Sequence, residues 1–184
     1  MAAKSNLLNM ALSLSAVCLV CSALLGGGYA KTSGPIAEAQ AAKTAASIAR
    51  VLPEFSVQPE LKTVEMDGVE YSYYDVPGSG IAVISSAGGF GGPLKLMVGV
   101  DDNGQIVNTV VLSHSETPGL GAKCSTDVAF IDQFKGWNPA ERKLAVRKDG
   151  GEVDAITAST ITSRAYTAAI ASAYDVYLKV KGNE

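Results

Sequence analysis

Histidine is almost missing from this sequence: His114 is the single one in 184 residues. No nucleophile or orienting partner accompanies it, so it reads as a strand-end residue and not as a general base. Cysteine is scarce as well, with three in the chain. Cys18 and Cys21 lie three apart inside an apolar run, and Cys124 stands alone in "AKCSTD". That pattern builds neither a disulfide framework nor an iron–sulfur set; the first two read as small packing residues of an apolar helix. A surplus of positive charge is missing too. The net charge is −3, which leaves no basic footprint for nucleic acid. Neither a Gly-x-Gly-x-x-Gly opening a helix nor a phosphate loop followed by Lys-Ser/Thr occurs, so nucleotide cradles of those kinds are excluded.

What is present begins with a long apolar run. From Leu7 to Leu25, "LLNMALSLSAVCLVCSALL" carries no charge. At about 1.5 Å per residue a run of this length crosses the ~30 Å hydrocarbon core of a bilayer. A cleaved signal peptide competes, because "GYA" ending at Ala30 has the small residues of a cleavage site. The run nevertheless exceeds the usual apolar region of about 7–15 residues. Residues 1–30 are therefore read as an uncleaved membrane anchor. Lys4 before the run, set against Lys31 and Lys43 after it, favours a cytoplasmic N-terminus.

Residues 31–60 read as a connecting helix and linker. Ser33 and Pro35 suit a helix start, Ile36, Ala39, Ala42, Ala46 and Ala49 recur at helical spacing, and Pro53 marks the stop after Leu52. Residues 61–184 have the composition of a folded domain. Several β-branched and aromatic runs alternate with glycine or proline turns. Asn103-Gly104, between "LKLMVGV" and "QIVNTVVLSH", has the signature of a tight hairpin turn. "DDNG" lacks the ligand spacing and terminal glutamate of a calcium loop. A short helix is expected in "STDVAFIDQFKGW", two strands about a turn in "RKLAVRKDGGEVDAIT", and a last helix with Ala165, Ala169, Ala173 and Tyr177 on its apolar face. The fold class is α+β: an N-terminal transmembrane helix, then one domain with an antiparallel sheet and flanking helices.

Three stretches break the local rules. "SSAGGFGGPLK" surrounds Phe90 with glycines, which lets the backbone approach a flat ligand closely. "SHSETPGLGAK" clusters donors and acceptors beside Leu120. "DAITASTITS" crowds hydroxyls ahead of an apolar helix. In that order, "GGFGGPLKLMVGVDDNGQI", "HSETPGLG" and "DAITASTITS" resemble the FMN-binding domain of two bacterial membrane complexes. These are the G subunit of the Rnf ferredoxin:NAD oxidoreductase and the C subunit of the sodium-pumping NADH:quinone oxidoreductase. With the anchor and the "AEAQAAK" helix, the resemblance covers essentially the whole chain, and its length favours the Rnf G subunit.

The resemblance implies that residues 61–184 form an FMN-binding domain. It also implies that FMN is covalently joined through its phosphate to a threonine, within a pattern like D-x-x-S/T-G-A-T-x-T/S. Asp154, Thr157 and Thr160 match, with Thr160 as the implied attachment residue. Ala158 stands where the family has glycine and Ser159 where it has alanine, which places a second hydroxyl beside the acceptor. "TAST" alone would read as a helix N-cap cluster, which Ser and Thr form routinely. Alongside the other two loops the ester reading prevails. The first turn of a helix offers unpaired N–H groups to a phosphate, and Thr157, Ser159, Thr162 and Ser163 supply further hydroxyls. Phe90, Gly91, Glu116, Thr117, Gly119 and Leu120 are the expected ring contacts.

By the same resemblance, the implied partners are the other membrane and peripheral subunits of the Rnf complex, which carry electrons from ferredoxin to NAD with ion translocation. A flavin transferase using FAD is implied for maturation. The chain is expected to cross the cytoplasmic membrane once, with the C-terminal domain on the periplasmic or extracytoplasmic side. The rival readings are a C-type subunit of the quinone reductase, a stand-alone membrane-tethered flavoprotein for extracellular electron transfer, and a flavin-free binding module.

Overall fold

The computed structural model describes residues 7–52, 59–66 and 68–182. The chain divides into two compact units, Met1–Thr44 and Ala45–Glu184. The first is the leading part of helix α1 (Leu7–Val51). Within α1, Asn9–Ile36 is long and apolar enough to cross a membrane, with mean hydropathy 2.0 and none of it buried. Hydroxyls in this stretch turn back onto the helix: Ser13 Oγ donates to the Met10 carbonyl at 3.0 Å and Thr32 Oγ1 to the Gly28 carbonyl at 2.8 Å. Such back-bonding satisfies a hydroxyl where water is absent.

A separate helix starting at Ser33 and Pro35 is not formed; α1 runs through Pro35. Ser33 Oγ points back toward the Ala30 carbonyl (3.5 Å) and so does not cap forward. Proline removes one rung of the ladder, and helix on both sides carries the segment through. Lys4 and Pro53, which carried the sequence readings of orientation and helix end, lie outside the described residues.

In the second unit, strands β1 (Glu60–Met66), β2 (Val69–Val76), β3 (Gly80–Gly88), β4 (Pro93–Val100) and β5 (Ile106–Ser113) form an antiparallel meander in sequence order. Successive side chains of a strand face opposite sides, and β3 and β4 are apolar on both. Ile81, Val83, Leu94, Leu96 and Val98 meet Ala165, Ala169, Ala173 and Tyr177 of the last helix, α3 (Thr160–Lys181), as its periodicity predicts. Ala82, Met97 and Val110 meet Ile48, Val51 and Leu52 on the other face. Ala46 and Ala49 of the alanine stripe are exposed. The larger side chains beside them form the seam, because they bury more apolar area.

The β4–β5 hairpin turns as its sequence predicts. Gly104 sits at φ 77°, and Asp101 Oδ1 accepts from the N–H groups of Asn103 (2.9 Å) and Gln105 (2.8 Å). The far end of α3 clasps this turn: Tyr177 Oη donates to the Asp102 carbonyl at 3.1 Å, and Lys181 Nζ lies 3.1 Å from Asp102 Oδ1. Helix α2 (Val128–Asp132) is shorter than the stretch that suggests it; Asp127 Oδ1 caps it by accepting from Ala129 and Phe130. Phe130 and Phe134 then pack on Tyr166 at ring distances of 5.0 and 5.2 Å. Two strands do not form in residues 142–157. One bridge between Val146 and Val153 flanks a 3-10 turn at Arg147–Asp149, with Gly150 left-handed.

The last turn of α1 is seated directly on sheet backbone. A Cβ on Gly99 would land on the Val51 carbonyl and lie 3.1 Å from Val51 Cβ. Gly99→Ala is expected to cost roughly 1–3 kcal/mol through this overpacking. The cost should appear as a lower denaturant midpoint at unchanged slope; an unchanged midpoint would refute the seating.

Candidate functional site

The site forms where the β3–β4 turn, the loop after β5 and the start of α3 converge, and one buried carboxylate joins them. Glu116 Oε1 accepts from the backbone N–H groups of Phe90 (2.8 Å) and Gly91 (3.2 Å). Its Oε2 accepts from the Thr162 hydroxyl at 2.6 Å. Glu116 is 6% exposed and Thr162 is 1% exposed, so these bonds form away from water, where leaving them unmade costs most. Glycine permits the approach. A Cβ on Gly89 would land on Glu116 Oε1, and one on Gly121 would meet Glu116 Oε2 and Thr162 Oγ1.

The single histidine braces this arrangement. The Glu116 N–H donates to His114 Nδ1 at 3.2 Å, and the other ring nitrogen, Nε2, faces Ser125 Oγ at 3.4 Å. As the sequence suggests, His114 is a strand-end residue. The Cys124 thiol is fully buried among core side chains. Burial first, and then the charge of Glu116, push its pKa up to about 11, the behaviour of an inert structural thiol.

At the start of α3 the hydroxyls separate by role. Ser163, fully buried, locks the turn: its Oγ donates to the Ser159 carbonyl at 3.0 Å and accepts from the Ile156 N–H at 2.9 Å. Ser159 is the N-cap residue, yet its side chain makes no capping bond and is 7% exposed. Thr160 opens the helix and is partly exposed, while Thr157 is exposed. With Ser159 not capping, the Thr160, Ile161 and Thr162 N–H groups have no acceptor within the helix. Ala158 is the one described non-glycine residue with positive φ, at 61°. An L side chain is strained there and glycine is not.

These elements enclose a pocket of ≈ 340 Å³, lined by Phe90, Glu116, Thr117, Leu120 and Gly121 on one side and residues 158–162 on the other. That volume lies within the range of small-molecule sites. Its walls are apolar and open: Phe90 is 69% exposed, Leu120 45% and Ile161 48%. Of the residues singled out from sequence, Phe90, Glu116, Thr117, Leu120, Ser159, Thr160 and Thr162 line the pocket; Gly91, Gly119, Thr157 and Ser163 do not. Gly119 supplies a left-handed turn (φ 77°) and Gly91 a close approach to the Ser115 carbonyl. Sequence reasoning missed Gly121 and Ile161, and marked Ala158 only as a departure from the family's glycine, a change that matters where the loop needs positive φ. Gly121 belongs to the same "PGLG" signal, and Ile161 follows from the phase of α3.

This arrangement defines a flavin-type domain on comparison with known proteins. The FMN-binding domain family matches residues 89–175, the span from the glycine turn through α3. The G subunit of the ion-translocating oxidoreductase complex from Cereibacter sphaeroides is 32% identical over 180 residues, covering 91% of this chain and 82% of that protein. The chain belongs to the family of these G subunits. The corresponding G subunit of Aliivibrio fischeri is 40% identical over 104 residues, covering 54% of this chain and 50% of its own length; in that and several related alignments the chain spans about half of the relative. Among solved structures, the C subunit of the Na⁺-translocating NADH-quinone reductase from Parabacteroides distasonis shares the fold. Its TM-score is 0.51 at 22% identity, over 71% of this chain and 78% of that one.

The strained residue generates a prediction. Ala158→Gly removes the left-handed strain but loosens the unfolded chain, for a net gain of roughly 1 kcal/mol. A higher denaturant midpoint is the expected result, and a lower one would show that the loop does not hold Ala158 at positive φ.

Proposed function

We propose that this protein is the covalent-FMN electron-carrier subunit of a membrane-bound, ion-translocating Rnf-type ferredoxin:NAD oxidoreductase. The observation that carries the reading is Thr160, a partly exposed hydroxyl on the first residue of α3, at the rim of a pocket with exposed apolar walls. The residues fit the group: Phe90, Leu120 and Ile161 offer open apolar surface to a flat ring, and unpaired N–H groups adjoin the acceptor oxygen. FMN, when bound, supplies reversible one- and two-electron transfer, while the protein supplies position and electrostatics.

Thr160 would act as a tether. Its hydroxyl would accept the FMN phosphoryl group of FAD in a reaction run by a separate flavin transferase. The Oγ1–P bond would form as the pyrophosphate P–O bond breaks, and AMP would leave with the hydroxyl proton. Ser159, the competing hydroxyl, also lines the pocket but is 7% exposed, whereas Thr160 is partly exposed, which favours Thr160. Glu116, Thr162 and Ser163 hold the loops and the helix start in place, and Thr117 borders the pocket.

The curated relatives are named as G subunits of an ion-translocating oxidoreductase complex, which supports the reading as a subunit of such a complex, and the solved quinone-reductase structure speaks to fold alone. The remaining subunits of such a complex would carry the ferredoxin and NAD sites. Domain organisation follows the same reading: an anchor over residues 1–30, a connecting segment over 31–60 and the FMN-binding domain over 61–184, exported across the cytoplasmic membrane.

Two experiments test this reading. Thr160→Ala should abolish in-gel flavin fluorescence while Ser159→Ala keeps it, and peptide mass spectrometry should place the flavin phosphate on Thr160; flavin on Ser159, or fluorescence retained in Thr160→Ala, refutes the assignment. A phosphatase that works only outside the cytoplasm, fused after Glu184, should be active, and a mild affinity purification should bring down the other Rnf subunits. An inactive fusion reverses the topology, and a chain that purifies alone favours the stand-alone flavoprotein.

A further inference from the structure

We infer that the pocket does not hold a flavin by its phosphate. It discriminates against a free phosphate monoester and accepts a neutral flavin such as riboflavin at least as well as FMN. This inference rests on the reading of the pocket as the FMN site and concerns what its walls select.

The ten lining residues include no lysine, arginine or histidine, and Glu116 is the one ionisable side chain among them. Both carboxylate oxygens accept hydrogen bonds, so the wall carries negative charge. The start of a helix ordinarily attracts anions through its dipole and unpaired N–H groups. Here that end already faces a carboxylate, because the Thr162 hydroxyl bonded to Glu116 Oε2 at 2.6 Å belongs to the first turn of α3. Glu116 cannot swing aside without stripping the Phe90 and Gly91 N–H groups of their acceptor.

The nearest arginine in sequence is engaged elsewhere. Arg164 donates twice to Asp149, at 2.6 Å each, and Lys123, two residues beyond Gly121, does not line the pocket. A phosphate monoester brings about −1.5 to −2 charges at neutral pH, against a single charge once it is esterified to Thr160. The covalent bond thus does the work that a basic clamp does in other phosphate sites. The choice of FMN over riboflavin is made at attachment, and the apolar walls bind the ring.

The test uses the full-length chain in detergent carrying Thr160→Val, which keeps the side-chain shape and removes the acceptor oxygen. Riboflavin and FMN are titrated separately against it at low ionic strength, followed by flavin fluorescence. Riboflavin should bind as tightly as FMN or more tightly; failure of both to bind overturns the inference, because the apolar walls then do not hold the ring. Tighter binding of FMN than of riboflavin overturns the inference. Adding Glu116→Gln, with circular dichroism to confirm folding, should shift the FMN-to-riboflavin affinity ratio roughly tenfold toward FMN. An unchanged ratio in a folded variant removes Glu116 as the cause. Mass spectrometry of the wild-type chain reports separately on attachment, so loss of covalent flavin there would fail the tether reading while leaving the affinity ratio readable.

Discussion

The site hangs on the carboxylate of Glu116. Its two oxygens take hydrogen bonds from the glycine turn between β3 and β4 and from the first turn of α3, so one side chain sets the separation of the pocket's two walls. A buried carboxylate is costly unless its lone pairs are met. Here they are met by groups whose positions matter to the pocket, so the condition for burying the charge and the condition for forming the site coincide. The surrounding glycines follow from this: Gly89 and Gly121 lie where any side chain would strike the Glu116 oxygens.

The features legible in sequence are those whose cause is local. The Asn103-Gly104 turn, the apolar face of α3 and the long apolar run each depend on residues within a few positions of one another. Glu116 shows the limit. Its proximity to "PGLG" marked it for the site, but its partners lie 26 and 46 positions away. Nothing in the motif distinguishes a ligand contact from an internal brace. Ser163 shows the same limit: its hydroxyl bonds the Ser159 carbonyl and the Ile156 N–H and does not line the pocket. Pro35 and the segment around Val146–Val153 misled because turn and breaker residues state what is locally permitted, while the neighbouring chain decides what forms.

The hydroxyls at the start of α3 differ in exposure with helix phase. Ser159, Thr162 and Ser163 are buried, with the two latter bonded to protein partners, whereas Thr157 and Thr160 reach the surface. Spacing in the sequence could not rank Ser159 against Thr160, because adjacent residues near a helix start differ in direction by the geometry of the cap. Ala158 holds a left-handed backbone just before this cap at a local cost in strain.

Helix α3 is held at both ends, by Glu116 at its start and by the clasp of Tyr177 and Lys181 on the β4–β5 turn at its finish. Helix ends ordinarily fray, opening far more often than the middle. Pinning both removes that freedom, so the first turn shares the cooperativity of the core beneath it. A redox group carried there would experience small reorganisation of its surroundings from one charge state to the next, which is what rapid electron exchange requires of a scaffold.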